Sequence, residues 1–434
     1  MAEPQILRWE WSSSPAIRAE QAGMLARAFL NERLADELRD EARLVLISLL
    51  EDPSELVRRT LAEHFANSDK VPHYMVHILA EDQQDIAEIV LARSPLLTDA
   101  ELIDCAATSE TFGQKAIARR TNVSAAVAAA LAEIGTVEVL ISLAGNPGAE
   151  LLDSTLHRMI ERHGRHKELR EALLTRPNLS PAVRSFLAGT AAVALAADLI
   201  ENDGLTKEKA EILACDARDR SNLRLAIETS YEQRAARTFV TYLRNSGQLT
   251  AGLLLRGLLC GHKELLELAL CELTGWPRAR VASHMAAAQS AGFATLYHKA
   301  KMPEPMLPAF VSGLQALTDL RLGNPVEMQL QMPLIHRALE ACLSKNASHQ
   351  DPVIASLRHL EAEAACEEAR AFHSLLIAPP KVRQAMGSLL ALLPGVCREA
   401  EVTLIGEPES AEDLAVLADI KIDFEALAAA IAAA

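Results

Sequence analysis

The sequence predicts an all-α protein, an α-solenoid of short helical hairpins followed by a C-terminal helical domain. Three observations carry that expectation. Half of the 434 residues are hydrophobic, yet the chain holds only nine Phe, four Tyr and three Trp, with 19 Gly. Sheets draw on aromatic and β-branched residues and on turn glycines, so an all-β fold is excluded. Apolar residues recur at three- and four-residue steps almost throughout, which is the helical period. Short phrases also return after about 30 residues, the length of two short helices and their turns. Residues 1–190 read as the repeat region, 191–398 as the C-terminal helical domain and 399–434 as an acidic, Ala-rich segment.

Along the chain, residues 42–50 are apolar around almost the whole helical circumference, the pattern of a helix buried between layers. Asp52-Pro53-Ser54-Glu55 then predicts a helix start, with Asp52 as cap, Pro53 in the first helical position and Glu55 set for a capping box. Leu56, Val57, Thr60, Leu61 and Phe65 follow as one buried stripe. Leu49-Leu50-Glu51-Asp52 is echoed by Leu79-Ala80-Glu81-Asp82. A second phrase ends in a hydroxyl before a helix at Thr98 (after Ser94-Pro95-Leu96-Leu97), Ser124 (after Arg120-Thr121-Asn122-Val123) and Ser180 (after Arg176-Pro177-Asn178-Leu179). Each of the three is an expected N-cap. Gly145-Asn146-Pro147-Gly148 is a further turn in the same rhythm.

Beyond Phe186 the period loosens. Residues 188–200 form an Ala-rich helix suited to bridge two halves, and Glu201-Asn202-Asp203-Gly204 makes a turn. Helical patterns continue through 251–273, 277–289 and 306–320. Asn324-Pro325-Val326-Glu327 and Asp351-Pro352 are capped beginnings. In 353–376, Ile354, Leu357, Leu360 and Ala364 form a stripe opposite Glu361, Glu363, Glu367 and Glu368. That stripe serves either the domain's own core or the seam of a homodimer. Glu401-Val402-Thr403-Leu404-Ile405 is the one plausible short strand.

Leu50-Glu51-Asp52-Pro53 with Val57-Arg58 resembles the HEAT-type helical repeat. Ala80-Glu81-Asp82, Leu91-Ala92-Arg93-Ser94-Pro95, Ala116-Ile117-Ala118-Arg119-Arg120 and Leu143-Ala144-Gly145-Asn146 extend the likeness. So do 254–275 and Gly292-Phe293-Ala294-Thr295-Leu296-Tyr297 with Ala300-Lys301-Met302-Pro303. Together they resemble an uncharacterised alphaproteobacterial family of HEAT-like helical-repeat proteins, the domain of unknown function family 2336. The resemblance covers most of residues 20–320. It implies a HEAT-like solenoid in which acidic caps and arginines tie neighbouring hairpins, and it implies no known chemistry, so no catalytic residue is carried over.

Forty-three basic against 58 acidic residues give a net charge of −15, unsuited to a general nucleic-acid coat. The start of the chain shows no basic segment leading into an apolar one. The stretches 187–197 and 253–260 fall short of the roughly 18 apolar residues of a membrane span. The seven cysteines, Cys105, Cys215, Cys260, Cys271, Cys342, Cys366 and Cys397, include no CxxC pair and sit in apolar helical contexts. A reduced, cytoplasmic protein without a membrane span is expected.

No GxGxxG, P-loop, GxSxG or HExxH motif is present, so the sequence points away from an enzyme, and no cofactor is expected. His157, Glu161, His163 and His166 are the most metal-like grouping. His163-Gly164 ends the helix that carries the first pair, so a basic helix end is the simpler reading and no metal is expected. The basic run from His157 to Arg184 is more informative, with Arg158, Arg162, Arg165, Lys167, Arg170, Arg176 and Arg184 against only Glu161, Glu168 and Glu171. Arg58, Arg59, Arg119 and Arg120 occupy corresponding second helices of earlier hairpins, and stacking would align Arg58, Arg119 and Arg120 with Arg158 and Arg162 as a stripe for an acidic protein partner. The ordinary alternative is that each ties the stack by pairing with an adjacent acidic cap, for example Arg58 with Asp82. Nucleic-acid binding through the same basic face is the second functional reading. It lacks interleaved aromatics, since Trp9, Trp11 and Trp276 are scattered. The leading expectation is a non-enzymatic interaction scaffold.

Overall fold

The computed structural model describes residues 14–31, 36–202, 204–320, 328–344 and 352–377. Trp9, Trp11, 321–327, Asp351, Cys397, 401–405 and the acidic 399–434 segment lie outside them. Among the described residues there are 21 α-helices and no strand. The first half runs α1 (Pro15–Leu30), α2 (Asp36–Leu50), α3 (Glu55–Phe65), α4 (His73–Ala80), α5 (Gln84–Arg93), α6 (Asp99–Thr108), α7 (Thr111–Ala118), α8 (Ala125–Ile134), α9 (Val137–Ala144), α10 (Asp153–His163) and α11 (Lys167–Leu174). The rest are α12 (Pro181–Asn202), α13 (Lys207–Thr229), α14 (Gln233–Asn245), α15 (Ala251–Leu259), α16 (Lys263–Thr274), α17 (Arg278–Ala286), α18 (Ala291–Lys299), α19 (Leu307–Asp319), α20 (Met332–Leu343) and α21 (Pro352–Ile377). The chain divides into two compact units, Met1–Ala364 and Ala365–Ala434. Of the second, only the end of α21 is described.

In the first unit the helices stack in two rows. α1, α3, α5, α7, α9 and α11 rest on one another in succession, and α6, α8, α10, α12, α14, α16 and α18 form the other row, with α2 on α4 at its start. Alternate helices share a row because each short hairpin can bury its apolar stripe only against the hairpins on either side. Buried apolar residues form two cores, one from Ala19 to Leu187 and one from Leu223 to Ala364. The long hairpin of α12 and α13 belongs to both, since α12 gives Val183 and Leu187 to the first and α13 gives Leu223, Leu225 and Ala226 to the second.

The hydroxyl caps form where expected. Thr98 and Glu101 make a reciprocal capping box at α6. Ser124 accepts from the Val127 N–H at α8, and Ser180 from the Val183 N–H at α12. At α3 the expectation shifts. The helix begins at Glu55, and Asp52 accepts the Ser54 N–H at 2.8 Å ahead of it rather than capping its first turn. Both oxygens of that carboxylate also accept from Arg18. α2 is also not enclosed on all sides. Ala42, Leu46, Leu49 and Leu50 are buried while Leu44 is 59% exposed, because the helix has a row neighbour on one face only.

Candidate interaction face

Short helices expose many C-terminal carbonyls for few internal bonds, and a buried carbonyl without a donor is costly. The stack meets this with side chains from the next repeat. Arg120, just after α7, donates to Leu91 O at 2.5 Å and Ser94 O at 2.6 Å, at the end of α5. Asn146, after α9, donates to Ala118 O and Arg120 O at the end of α7. Arg176, after α11, donates to Ala144 O, Asn146 O and Ala149 O at the end of α9. In the other row Arg162 of α10 donates to Ala132 O at 2.6 Å and Gly135 O at 3.2 Å, at the end of α8.

Acidic turns take the remaining arginines. Arg58 grips Asp82 through two bonds of 2.7 and 3.0 Å and donates a third to Asp52 O. Arg18 grips Asp52 through two bonds of 2.9 Å, and this pairing holds the Asp52 carboxyl below its usual range. The echoed acidic phrases therefore hold equivalent ion pairs one repeat apart. Arg158 is exposed and pairs with Glu133 at 2.8 and 2.9 Å and with Glu161 at 3.2 Å. Of the five arginines singled out in the sequence, only Arg119 is exposed without a side-chain bond among the described residues. They do not form one free stripe.

A concave cationic site remains where α10 ends against α12. It is a cleft of about 380 Å³ whose lining includes Glu161, Arg162, His163, Arg165, His166 and Thr190. Arg165 and His166 are exposed. The Nε2 atom of His163 is enclosed without a hydrogen-bond partner. Burial, then the nearby Arg162 and His166, holds the His163 pKa below its ordinary value. His157 does not join this group. Its ring stacks on Phe186, with centroids 5.0 Å apart, and Nδ1 bonds to Asp153 O at 2.7 Å. Among the described residues no three His, Cys, Asp or Glu side chains assemble as metal ligands.

A second charged cluster was hidden in the sequence. Ile354, Leu357, Leu360 and Ala364 are buried as expected. Glu363, assigned to the opposite face, is instead only 6% exposed and bonds Arg256 of α15 at 2.6 and 2.9 Å. It follows Leu360 by three residues and so turns to the same side. Arg220 joins Glu363 at 2.8 Å, and His359 joins Asp216. Trp276 carries the Arg280 guanidinium 3.7 Å from its ring centre and the Lys299 ammonium at 4.8 Å.

α12 is the one described helix long and apolar enough to cross a membrane by length and composition, and about a third of that stretch is buried in the fold. The family model described as "uncharacterised protein conserved in bacteria (DUF2336)" matches residues 86–350, which run from within α5 past α20. The chain belongs to this family. The DUF2336 match takes in the cationic cleft and most of both cores, and it brings no assigned chemistry. No curated protein and no solved structure matches the chain.

Proposed function

We propose that this member of the DUF2336 family is a non-enzymatic, cytoplasmic protein–protein interaction scaffold that holds an acidic group of its partner in the cleft between α10 and α12. One observation carries the reading. Most of the singled-out arginines are consumed by carbonyls and acids of the stack, while Arg165 stands exposed and without a side-chain bond among the described residues in a concave place, beside the exposed His166. In such a cleft a partner's carboxylate exchanges water for the Arg165 guanidinium, a charge-assisted contact that favours specificity and fast encounter. Rigid rows of helices hold that donor in place without any moving part.

Nucleic-acid binding has less support. Guanidinium groups directed at carbonyls are not available to phosphates, and the Trp276 ring is already attended by two cations of its own chain. The test is affinity purification from the native bacterium with wild-type protein and with Arg165→Glu and Arg119→Glu variants. A partner retained by the wild type and lost with Arg165→Glu supports the reading. Equal recovery from all three counts against it, and a salt-sensitive gel shift would favour the nucleic-acid alternative.

A further inference from the structure

We infer that α12 is also a self-association seam, through which two copies of this chain pair antiparallel. The first observation is a mismatch in length between row neighbours. α10 ends at His163, and the Gly164 that follows lies so close to Thr190 that an added Cβ would stand 2.9 Å from its methyl. α12 continues to Asn202, about three turns farther. Its face toward α10 carries Phe186 and Thr190. The same face, followed at alternating four- and three-residue steps, continues as Val193, Ala197 and Ile200. All three are exposed, Val193 at 59%. That spacing is the a/d pattern of paired helices, here without a second helix among the described residues.

The charges at the two ends identify what covers it. One end opens on the cleft, where the Arg165 guanidinium is exposed and without a side-chain bond among the described residues. The other ends in Asp198 and Glu201, both exposed and without an ion pair among the described residues. With a twofold axis near Ala197, Val193 of each copy meets Ile200 of the other, and Glu201 of each reaches the other's cleft. The surface is thus complementary to itself, as an isologous contact requires. The inference rests on reading the cleft as an acceptor of acids and assigns the acid to a second copy. About three turns per copy bury well under the roughly 800 Å² per partner of a standard interface, so the dimer is weak, concentration-dependent and weakened by salt.

Sedimentation equilibrium of the full chain over a concentration series tests this. The expected mass rises from 47.0 kDa toward twice that value at low salt. Val193→Asp and Glu201→Arg each keep the chain monomeric, with circular dichroism unchanged because both positions are exposed. Combining Glu201→Arg with Arg165→Glu restores the dimer. A monomer at every concentration, a dimer indifferent to Val193→Asp, or a double reversal that stays monomeric each overturns the pairing. A monomer that still captures an acidic partner through Arg165 overturns the dimer while the scaffold reading stands.

Discussion

Arg120 donates to two carbonyls that α5 cannot satisfy within itself, while Arg119 beside it reaches no described group. Burial also depresses the Arg120 pKa, so its charge is held in a costly place by those two bonds. Arg120→Ala should lower the unfolding free energy by about 1–3 kcal/mol, the cost of leaving buried acceptors unmet. Arg119→Ala should leave the urea midpoint unchanged. Equal midpoints for the two variants would remove the role assigned to Arg120. Asp219 of α13 offers a pH-dependent counterpart. It is 7% exposed, its nearest cation contact, to Arg218, is long at 3.7 Å, and burial pushes its pKa from 3.8 up to about 6. Between those values the native state holds a proton that the unfolded chain has released. Stability from this group is therefore complete below pH 3.8 and is lost as pH rises through about 6. Asp219→Asn should stabilise the protein by up to roughly 3 kcal/mol at pH 7.5 and by little at pH 4. A pH-independent difference in urea titrations would contradict this.

At the scale of elements, α21 is held by charge as well as by its apolar stripe. Arg256 is 4% exposed and depends on Glu363 and Asp216 for compensation. Removing one partner of such a pair strands a charge in a dry site, so Glu363→Ala should cost about 3–5 kcal/mol. Hydrogen-exchange protection should fall over residues 352–364 while the first core keeps its own. Replacing both partners with apolar residues, Arg256→Met with Glu363→Leu, should recover most of the loss. The reach of an interaction along the chain decides what a sequence reveals. Caps at Thr98, Ser124 and Ser180 are legible because donor and acceptor lie within one turn of helix. The Arg58–Asp82 pair is legible as an alternative because the repeat sets the two one hairpin apart. Glu363 and Arg256 are 107 residues apart with no shared period, so spacing alone placed Glu363 among the solvent-facing acids. The cationic cleft was half legible. The sequence shows the basic run, but only the meeting of α10 with α12 decides which of its members face one cavity.

Over the whole of the first unit, the two cores set how stability is distributed. Helices in a stack touch mainly their neighbours, so the loss of one contact is felt locally and passes onward only through shared layers. The α12–α13 hairpin links the cores, α12 giving Val183 and Leu187 to the first and α13 giving Leu223, Leu225 and Ala226 to the second, and a polar network crosses it. Ser185 donates to Asn222 at 2.6 Å, and Asn222 donates to Gln248 at 2.8 Å. A buried hydrogen-bonded network fixes register firmly but adds less transfer free energy than an apolar layer of equal size. Cooperativity should therefore be weakest across this hairpin, and calorimetry should resolve two overlapping transitions. Phe65 in the first core and Phe310 in the second are both fully buried. Truncating either to Ala should cost about 3–5 kcal/mol. Phe65→Ala should lower one transition and Phe310→Ala the other. If each variant instead moves a single common transition by the same amount, the hairpin transmits stability as well as an apolar layer would, and the two cores unfold as one.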